Sequence, residues 1–190
     1  MIGVDFDGTL IARAVADEAG RRWFSYLAER LNDPAILTSA SVDFFPPLLA
    51  AMARLNGKEA LTPEDRGRYL FEAREYYKTL YLEIVAEHGG ALLNRKLVAR
   101  LTALRTHGKE LALISGTQQS ILEPTLAILG ISDLFVVVFG EEQHLLLPKE
   151  DLLRRFIKQH GSLELYIGDE DKDELACSSL GIPFERVGRG

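Results

Sequence analysis

The sequence predicts an α/β fold with a Rossmann-like parallel sheet, into which an all-helical segment is inserted. From residue 90 onwards, short apolar stretches alternate with helical stretches, an order that is typical of a parallel sheet. A further apolar stretch occupies residues 1–6, whereas residues 14–89 carry helical stretches and no convincing strand. We therefore expect a core domain formed by residues 1–13 and 90–190, interrupted by a helical domain formed by residues 14–89.

The core elements follow from short apolar runs and from helix start and stop signals. Gly108 and Gly130 each end a helical stretch, and the run before Ser115 has the length and composition of a buried strand. The predicted strands are 1–6, 110–114, 134–139, 163–167 and 183–187. The predicted helices between them are 96–107, 119–129, 150–160 and 173–180.

The insertion is predicted to hold three helices, at about 16–31, 46–56 and 63–88. The third has the most complete start signal. Thr62 is a capping residue, Pro63 suits the first turn, and Glu64 and Asp65 favour the positive end of a helix dipole.

The composition indicates a globular protein with a core of its own. Of 190 residues, 47% are hydrophobic and 26% are charged, and Cys177 is the only cysteine, which excludes a disulfide framework. The net charge of -6 argues against a nucleic-acid binder, and no apolar run approaches the ~20 residues of a membrane span. Asp5 and Asp7 interrupt the position where a signal peptide would be apolar. We expect a cytoplasmic protein.

Polar residues recur at the carboxyl ends of predicted strands or in the loops that follow them. In open α/β sheets, ligands bind in the crevice outside those ends, so residues distant in sequence meet there. The residues are Asp5, Asp7, Ser115, Lys149, Asp169 and Asp173.

These residue types together point to phosphate chemistry. Several carboxylates in one place are unstable without a cation, and their hard oxygen ligands suit Mg²⁺. A lysine and a hydroxyl are suited to hold phosphate oxygens. A carboxylate that attacks phosphorus forms an aspartyl-phosphate.

Four segments resemble the motifs of the haloacid dehalogenase superfamily, in the family's order and spacing. The first is Asp5-Phe6-Asp7-Gly8-Thr9-Leu10, and the second is Leu113-Ile114-Ser115-Gly116. Lys149 falls where the third-motif lysine is expected, although Pro148 precedes it and Glu150, not proline, follows. The fourth motif resembles the segment from Tyr166 to Asp173. The motifs span nearly the whole chain.

The resemblance implies a role for each motif residue. Asp5 is expected to be the nucleophile and a metal ligand, and Asp7 the general acid and base with its backbone carbonyl on the metal. Ser115 and the Gly116 amide are expected to hold the phosphoryl group, which Lys149 neutralises together with the nucleophile.

For the metal, the resemblance implies that Asp169 binds Mg²⁺ directly and that Asp173 does so directly or through water. Glu170 or Asp171 remains open as an additional ligand. The helical insertion at 14–89 resembles the C1-type cap of this family, and the stretch from Gln119 to Phe139 is most similar to its branch of phosphoglycolate-type phosphatases. The expected substrate is a small phosphorylated metabolite.

Other functions use related residues. A phosphomutase of the same fold returns the phosphoryl group to a bound sugar, not to water. A dehalogenase needs no second acid, which Asp7 provides here. A receiver-type signalling domain carries its phosphorylated Asp mid-chain and has no large helical insertion. An inactive phosphate-binding module remains the second non-enzyme alternative, although all four motifs are retained.

Overall fold

The computed structural model describes residues 1–34, 45–57, 62–141 and 147–188. The chain divides into two compact units. One unit comprises Met1–Val15 and Val85–Gly190, and the other comprises Ala16–Ile84. The predicted domain bounds and the role of the helical insertion as a cap stay a prediction.

The first unit is built on a five-stranded parallel sheet with the order β3-β2-β1-β4-β5. The strands are β1 (Ile2–Val4), β2 (Leu111–Gln118), β3 (Val137–Glu141), β4 (Leu165–Gly168) and β5 (Phe184–Arg186). Helices α4 (Arg95–Thr106), α5 (Gln119–Ile128), α6 (Lys149–His160) and α7 (Asp171–Leu180) connect them, with short 3-10 helices at Gly89–Leu92 and Ser132–Leu134. The predicted α/β fold class is confirmed.

The central strand β1 aligns the strands on both sides of it. Val4 pairs with Leu113 of β2 and with Ile167 of β4, so β1 and β4 end at nearly the same level, whereas β2 continues to Gln118. β1 is wholly buried, which is why its three residues are apolar or glycine. The polar residues that follow these strands are thereby brought to one edge of the sheet.

A core cluster anchors α6 and α7 to the sheet. Leu152, Leu153 and Phe156 of α6 and Cys177 of α7 are buried in one cluster with Tyr166 of β4. Burial raises the pKa of the Cys177 thiol to about 11, assisted by the nearby Asp173 carboxylate. Cys177 is therefore a buried apolar residue and not a reactive thiol.

The chain leaves and re-enters the first unit along paired segments. The Ala12 N–H donates to the Leu92 carbonyl and the Asn94 N–H to the Leu10 carbonyl, at 2.9 and 3.0 Å. The Asn94 side chain accepts from the Leu97 N–H, which caps α4, and its amide donates to the Thr9 carbonyl. These bonds fix the loop that follows β1.

The second unit contains α1 (Ala14–Leu31), α2 (Phe45–Leu55) and α3 (Pro63–His88). The first two residues of α1 and the last four of α3 belong to the first unit. The Trp23 ring of α1 lies 6.0 Å from the Tyr76 ring and 6.5 Å from the Tyr77 ring of α3, centroid to centroid. The Thr62 hydroxyl accepts a hydrogen bond from the Asp65 N–H at 3.1 Å, so the predicted cap of α3 is confirmed.

Several predicted bounds were wrong near the site. β1 ends at Val4, not at residue 6, because the chain turns at Gly8. β2 continues to Gln118, beyond the predicted end at 114, through a register shift against β3. β3 begins at Val137 and not at 134, because Leu134 belongs to the 3-10 helix Ser132–Leu134. Lys149, predicted to lie in a loop, is the first residue of α6.

Within the described ranges, the helices are all too short or too polar to cross a membrane.

We predict that Thr62→Ala lowers the free energy of unfolding by about 0.5–2 kcal/mol, because it removes the cap of α3. Thr62→Ser keeps the hydroxyl and should stay near the original value. Thr102→Ala is the matched control, since Thr102 lies exposed inside α4 and alanine is the better helix former there. Chemical denaturation monitored by circular dichroism measures all three. An unchanged midpoint for Thr62→Ala would contradict the capping role.

Candidate active site

The predicted site residues lie at the point where the strand order reverses. The chain crosses from β1 to β2 and β3 on one side, and then returns to β4 and β5 on the other side of β1. The crevice outside the carboxyl ends of strands at such a switch point is where open α/β sheets bind ligands. Asp5 directly follows β1, and Asp169 directly follows β4.

Asp5 is held by its backbone and by its side chain. Its N–H donates to the Ile167 carbonyl of β4 at 2.8 Å, which keeps the residue aligned with the sheet although β1 has ended. Its Oδ1 accepts a hydrogen bond from Lys149 Nζ at 2.5 Å. Both side chains are buried, so this ion pair is shielded from solvent.

Lys149 also faces a second carboxylate. Its Nζ lies 3.0 Å from Asp173 Oδ1 but is not aligned for a hydrogen bond, and this buried oxygen has no hydrogen-bond partner among the described residues. The other oxygen, Asp173 Oδ2, accepts from the Glu170 N–H at 3.3 Å in the first turn of α7. One oxygen of Asp173 therefore anchors the helix start, and the other points towards the lysine.

The pKa values of Lys149 and Asp173 are shifted by burial and by the neighbouring charges. Burial lowers the pKa of Lys149, but Asp5, Tyr166 and Asp173 more than offset that effect, so its pKa lies well above the usual range. Burial raises the pKa of Asp173, the charge of Asp5 raises it further, and Lys149 only partly opposes this. The lysine is thus cationic, and the carboxylates repel one another.

Three carboxylates form a group that fits a metal ion. One oxygen each of Asp5, Asp169 and Asp173 lies within 4.8 Å of the other two, and all three residues are buried. The Lys149 ammonium pairs with Asp5 and Asp173, but its one positive charge does not balance three carboxylates. Buried hard oxygen donors with surplus negative charge, one of them lacking a hydrogen bond, are suited to a divalent cation such as Mg²⁺.

The loop after β1 holds Asp169 in this group. The Thr9 hydroxyl donates to Asp169 Oδ1 at 3.0 Å. Gly8 has a φ of 86°, and a Cβ atom there would lie 2.6 Å from Asp169 Oδ2. Both the backbone conformation and the space require glycine at this position.

Asp7 and Ser115 are linked through Thr117. The Thr117 hydroxyl donates to Asp7 Oδ2 at 2.6 Å, and the Thr117 N–H donates to the Ser115 hydroxyl at 3.1 Å. Ser115 and Thr117 lie between Ile114 and Gln118, where the register of β2 shifts against β3. Such a bulge re-aims side chains and leaves backbone groups available, and the neighbouring Gly116 is exposed.

Glu170 and Asp171 are paired with cations of the chain. Glu170 forms ion pairs with Arg13 and Lys172. Asp171 pairs with Arg186 at 2.8 Å and is almost fully exposed. Neither acid belongs to the group of three carboxylates. Their ion pairs instead connect the turn to Arg13, Lys172 and Arg186.

The sequence analysis did not single out three residues that contact the site. Thr9 and Thr117 bind predicted carboxylates, and the buried Tyr166 hydroxyl lies 3.3 Å from Asp5 Oδ1. All three lie within or beside the recognised motifs, at polar positions next to predicted site residues. Their contacts depend on tertiary structure and give no separate signal in the sequence.

Of the predicted site residues, the structure brings Asp5, Lys149, Asp169 and Asp173 into one group. Thr117 connects Asp7 with Ser115. The individual roles of these residues stay predictions.

Comparison with known proteins identifies the family. The sequence profile of the haloacid dehalogenase-like hydrolase family matches residues 2–172. The phosphoglycolate phosphatase of Yersinia pestis is 25% identical over 192 residues, which cover 96% of this chain and 78% of the relative.

Two solved structures share the fold. A variant of CbbY from Rhodobacter sphaeroides, in complex with xylulose-1,5-bisphosphate, has a TM-score of 0.63 at 16% identity, covering 96% of this chain and 83% of that one. The β-phosphoglucomutase of Clostridium difficile has a TM-score of 0.63 at 17% identity, covering 99% of this chain and 84% of that one.

The resemblance inferred from the four motifs is confirmed by the profile match, and the prediction of a phosphatase agrees with the activity named for the Yersinia relative. The chain belongs to the haloacid dehalogenase-like hydrolase family.

Proposed function

We propose that the chain is a Mg²⁺-dependent phosphatase that hydrolyses a small phosphorylated metabolite through an aspartyl-phosphate on Asp5. The observation that carries the proposal is the buried group of Asp5, Asp169 and Asp173, whose charge Lys149 offsets only in part. Such a group is stable with a divalent cation and attracts a substrate that brings its own phosphate oxygens to the metal.

In the first step, the Asp5 carboxylate attacks phosphorus and the bond to the leaving oxygen breaks. Lys149 offsets the repulsion between this carboxylate and the phosphate. The Ser115 hydroxyl and the Gly116 N–H hold the phosphoryl oxygens, and the protonated Asp7 gives its proton to the leaving alkoxide. Mg²⁺, when bound by Asp5, Asp169, Asp173 and the Asp7 carbonyl, supplies further charge neutralisation at the phosphoryl group.

In the second step, Asp7 accepts a proton from water, which attacks the phosphorus of the aspartyl-phosphate. Inorganic phosphate leaves and Asp5 is regenerated, so each cycle consumes one water molecule. Thr117 favours this use of Asp7, because its hydroxyl donates to Asp7 Oδ2 and fixes the orientation of the carboxyl group.

The first substrate to test is phosphoglycolate, the substrate named for the curated relatives at 24–25% identity. A small substrate is also supported by the position of the helical insertion between β1 and β2, where we propose that residues 14–89 act as a cap. Caps of this kind exclude bulk water and large substrates during chemistry.

The metal requirement is tested by chelation. Exhaustive treatment with EDTA should abolish phosphate release, and Mg²⁺ should restore it. Ca²⁺ should inhibit, because its looser and higher coordination disturbs the attack geometry. Full activity after EDTA treatment would contradict the proposal.

Variants in the same turn locate the metal. Asp173→Asn should raise the Mg²⁺ concentration needed for half-maximal activity, since Asp173 belongs to the carboxylate group. Asp171→Asn is the matched control, because Asp171 pairs with Arg186 outside that group. An equal shift in both variants would mean that general surface charge, not coordination, sets the requirement.

The division of labour between Asp5 and Asp7 is tested by trapping the intermediate. Asp5→Asn should abolish turnover and leave no phosphoenzyme. Asp7→Asn should slow turnover by about 10²–10⁴-fold, the usual contribution of acid–base catalysis. With an aryl phosphate, whose leaving group needs little protonation, Asp7→Asn should accumulate phosphoenzyme. Acid quench with labelled substrate, followed by peptide mass analysis, measures both results.

Label on a residue other than Asp5 would refute the nucleophile assignment. Equal slowing of phosphorylation and hydrolysis in Asp7→Asn, even with the aryl phosphate, would assign Asp7 to metal positioning alone. Transfer of the label to an added sugar phosphate in preference to water would identify a phosphomutase.

The size limit imposed by the proposed cap is tested by substrate class. Small phosphate monoesters should be hydrolysed, whereas folded phosphoproteins should not be. Phosphate release from both classes is measured at equal phosphate-ester concentration. Comparable rates for intact phosphoproteins would exclude a closing cap and leave the chemistry of the core untouched.

A further inference from the structure

Tyr166 is a fully buried tyrosine whose hydroxyl reaches the carboxyl end of β1. It lies on β4, and its hydroxyl donates to the Ile114 carbonyl of β2 at 2.8 Å. The same oxygen lies 3.3 Å from Asp5 Oδ1. The Lys149 ammonium is 5.2 Å from the centroid of the Tyr166 ring.

We propose that Tyr166 is a positioning residue that fixes the orientation of the Asp5 carboxylate through its hydroxyl, and that Gly3 provides the space for its ring. This inference rests on the proposed function, in which Asp5 is the nucleophile. Through the Tyr166 hydroxyl the Asp5 side chain is linked to β2, in addition to the bonds that Asp5 makes with the β4 backbone and with Lys149.

The Tyr166 hydroxyl has two acceptors, the Ile114 carbonyl and Asp5 Oδ1, and each has its own structural role. The Ile114 carbonyl belongs to β2, whose register with β1 is set by three residue pairs, so it holds the hydroxyl at a fixed position. The longer contact to Asp5 is the second branch of a three-centre hydrogen bond. Oδ1 thus meets two donors, Lys149 and Tyr166, which restrict rotation of the carboxyl group about its Cβ–Cγ bond.

The hydroxyl is suited to this contact. A phenol is an uncharged hydrogen-bond donor at neutral pH, so Tyr166 can donate to Asp5 without adding charge to the carboxylate group.

Gly3 permits this arrangement. Gly3 pairs with Tyr166 across β1 and β4, and a Cβ atom on Gly3 would lie 2.6 Å from Tyr166 Cδ2. The same atom would lie 3.2 Å from side-chain atoms of both Ile114 and Leu163, so a methyl group at Gly3 would be crowded by three side chains. The absence of a side chain at this buried strand position is explained by the ring that lies against it.

The first test is Tyr166→Phe, which keeps the ring and removes only the hydroxyl. The rate of phosphoenzyme formation from an aryl phosphate, measured by rapid acid quench, should fall about 10- to 100-fold, as expected for losing a hydrogen bond to a charged group. The KM should change little, because Tyr166 is placed on the nucleophile and not on the substrate.

Leu163→Val is the matched control for packing. Leu163 is buried in the same core cluster beside Gly3 and touches no site residue through a polar group. It should lower the thermal unfolding midpoint and leave the rate of phosphoenzyme formation unchanged. If Leu163→Val slows phosphorylation as much as Tyr166→Phe does, Tyr166 acts through packing alone and the inference is overturned.

Gly3→Ala provides a second test. The added methyl group should displace the Tyr166 ring and slow phosphorylation. In the double variant that combines Gly3→Ala with Tyr166→Phe, phosphorylation should be no slower than in Tyr166→Phe alone, because the hydroxyl through which Gly3→Ala acts is already gone. Additive losses, or an unchanged phosphorylation rate in either single variant, would contradict the inference.

The outcomes separate this inference from the function on which it rests. If the unmodified protein forms no phosphoenzyme on Asp5, the proposed function fails, and the inference fails with it. If it does form one, and Tyr166→Phe forms it at the same rate, the function stands and Tyr166 is only a core residue.

Discussion

Mutual repulsion among three buried carboxylates is the constraint on which the rest of the site depends. Asp5, Asp169 and Asp173 each present an oxygen within 4.8 Å of the others, in a place where water screens their charges poorly. Left alone, such side chains turn apart or take up protons. Burial raises the pKa of Asp173 and the charge of Asp5 raises it further, although Lys149 opposes both effects. The fold opposes this by tying each one to a rigid element. Asp5 is bonded to β4, Asp169 to the Thr9 hydroxyl, and Asp173 to the start of α7. The sheet and the helix start thereby stabilise a charge arrangement that suits a divalent cation.

The strand order explains why the site residues come from both ends of the chain. A parallel sheet places the ends of neighbouring strands at one edge, and β1 lies between β2 and β4. Asp5 and Asp169 are therefore neighbours in space, although more than 160 positions separate them in the sequence. The helical insertion lengthens the sequence between them without altering the strand pairs, because the chain leaves and re-enters through hydrogen-bonded segments at Ala12 and Leu92.

The sequence predicted the sheet, the order of its elements and the carboxylate group, because these depend on apolar runs and on short motifs. It did not predict the continuation of β2 to Gln118, since a bulge with polar residues has the pattern of a loop. Lys149 was placed in a loop because lysine gives no capping signal, whereas the structure begins α6 there after Pro148. The contact between Tyr166 and Asp5 was also missed. An aromatic residue in a strand normally indicates packing, and its polar contact depends on Gly3 in a strand far away in sequence.

The acids of the turn after β4 and of the start of α7 form an inner and an outer set. The inner acids are buried, and the outer acids are paired with cations of the chain. Asp169 and Asp173 are buried and face Asp5, whereas Glu170 pairs with Arg13 and Lys172, and Asp171 and Glu174 pair with Arg186. Arg186 also donates to the Asp169 carbonyl at 3.0 Å, so the outer pairs hold the backbone that carries Asp169. The outer acids are thus neutralised by the chain itself. The inner carboxylates keep a negative charge that Lys149 offsets only in part, and this charge suits a cation.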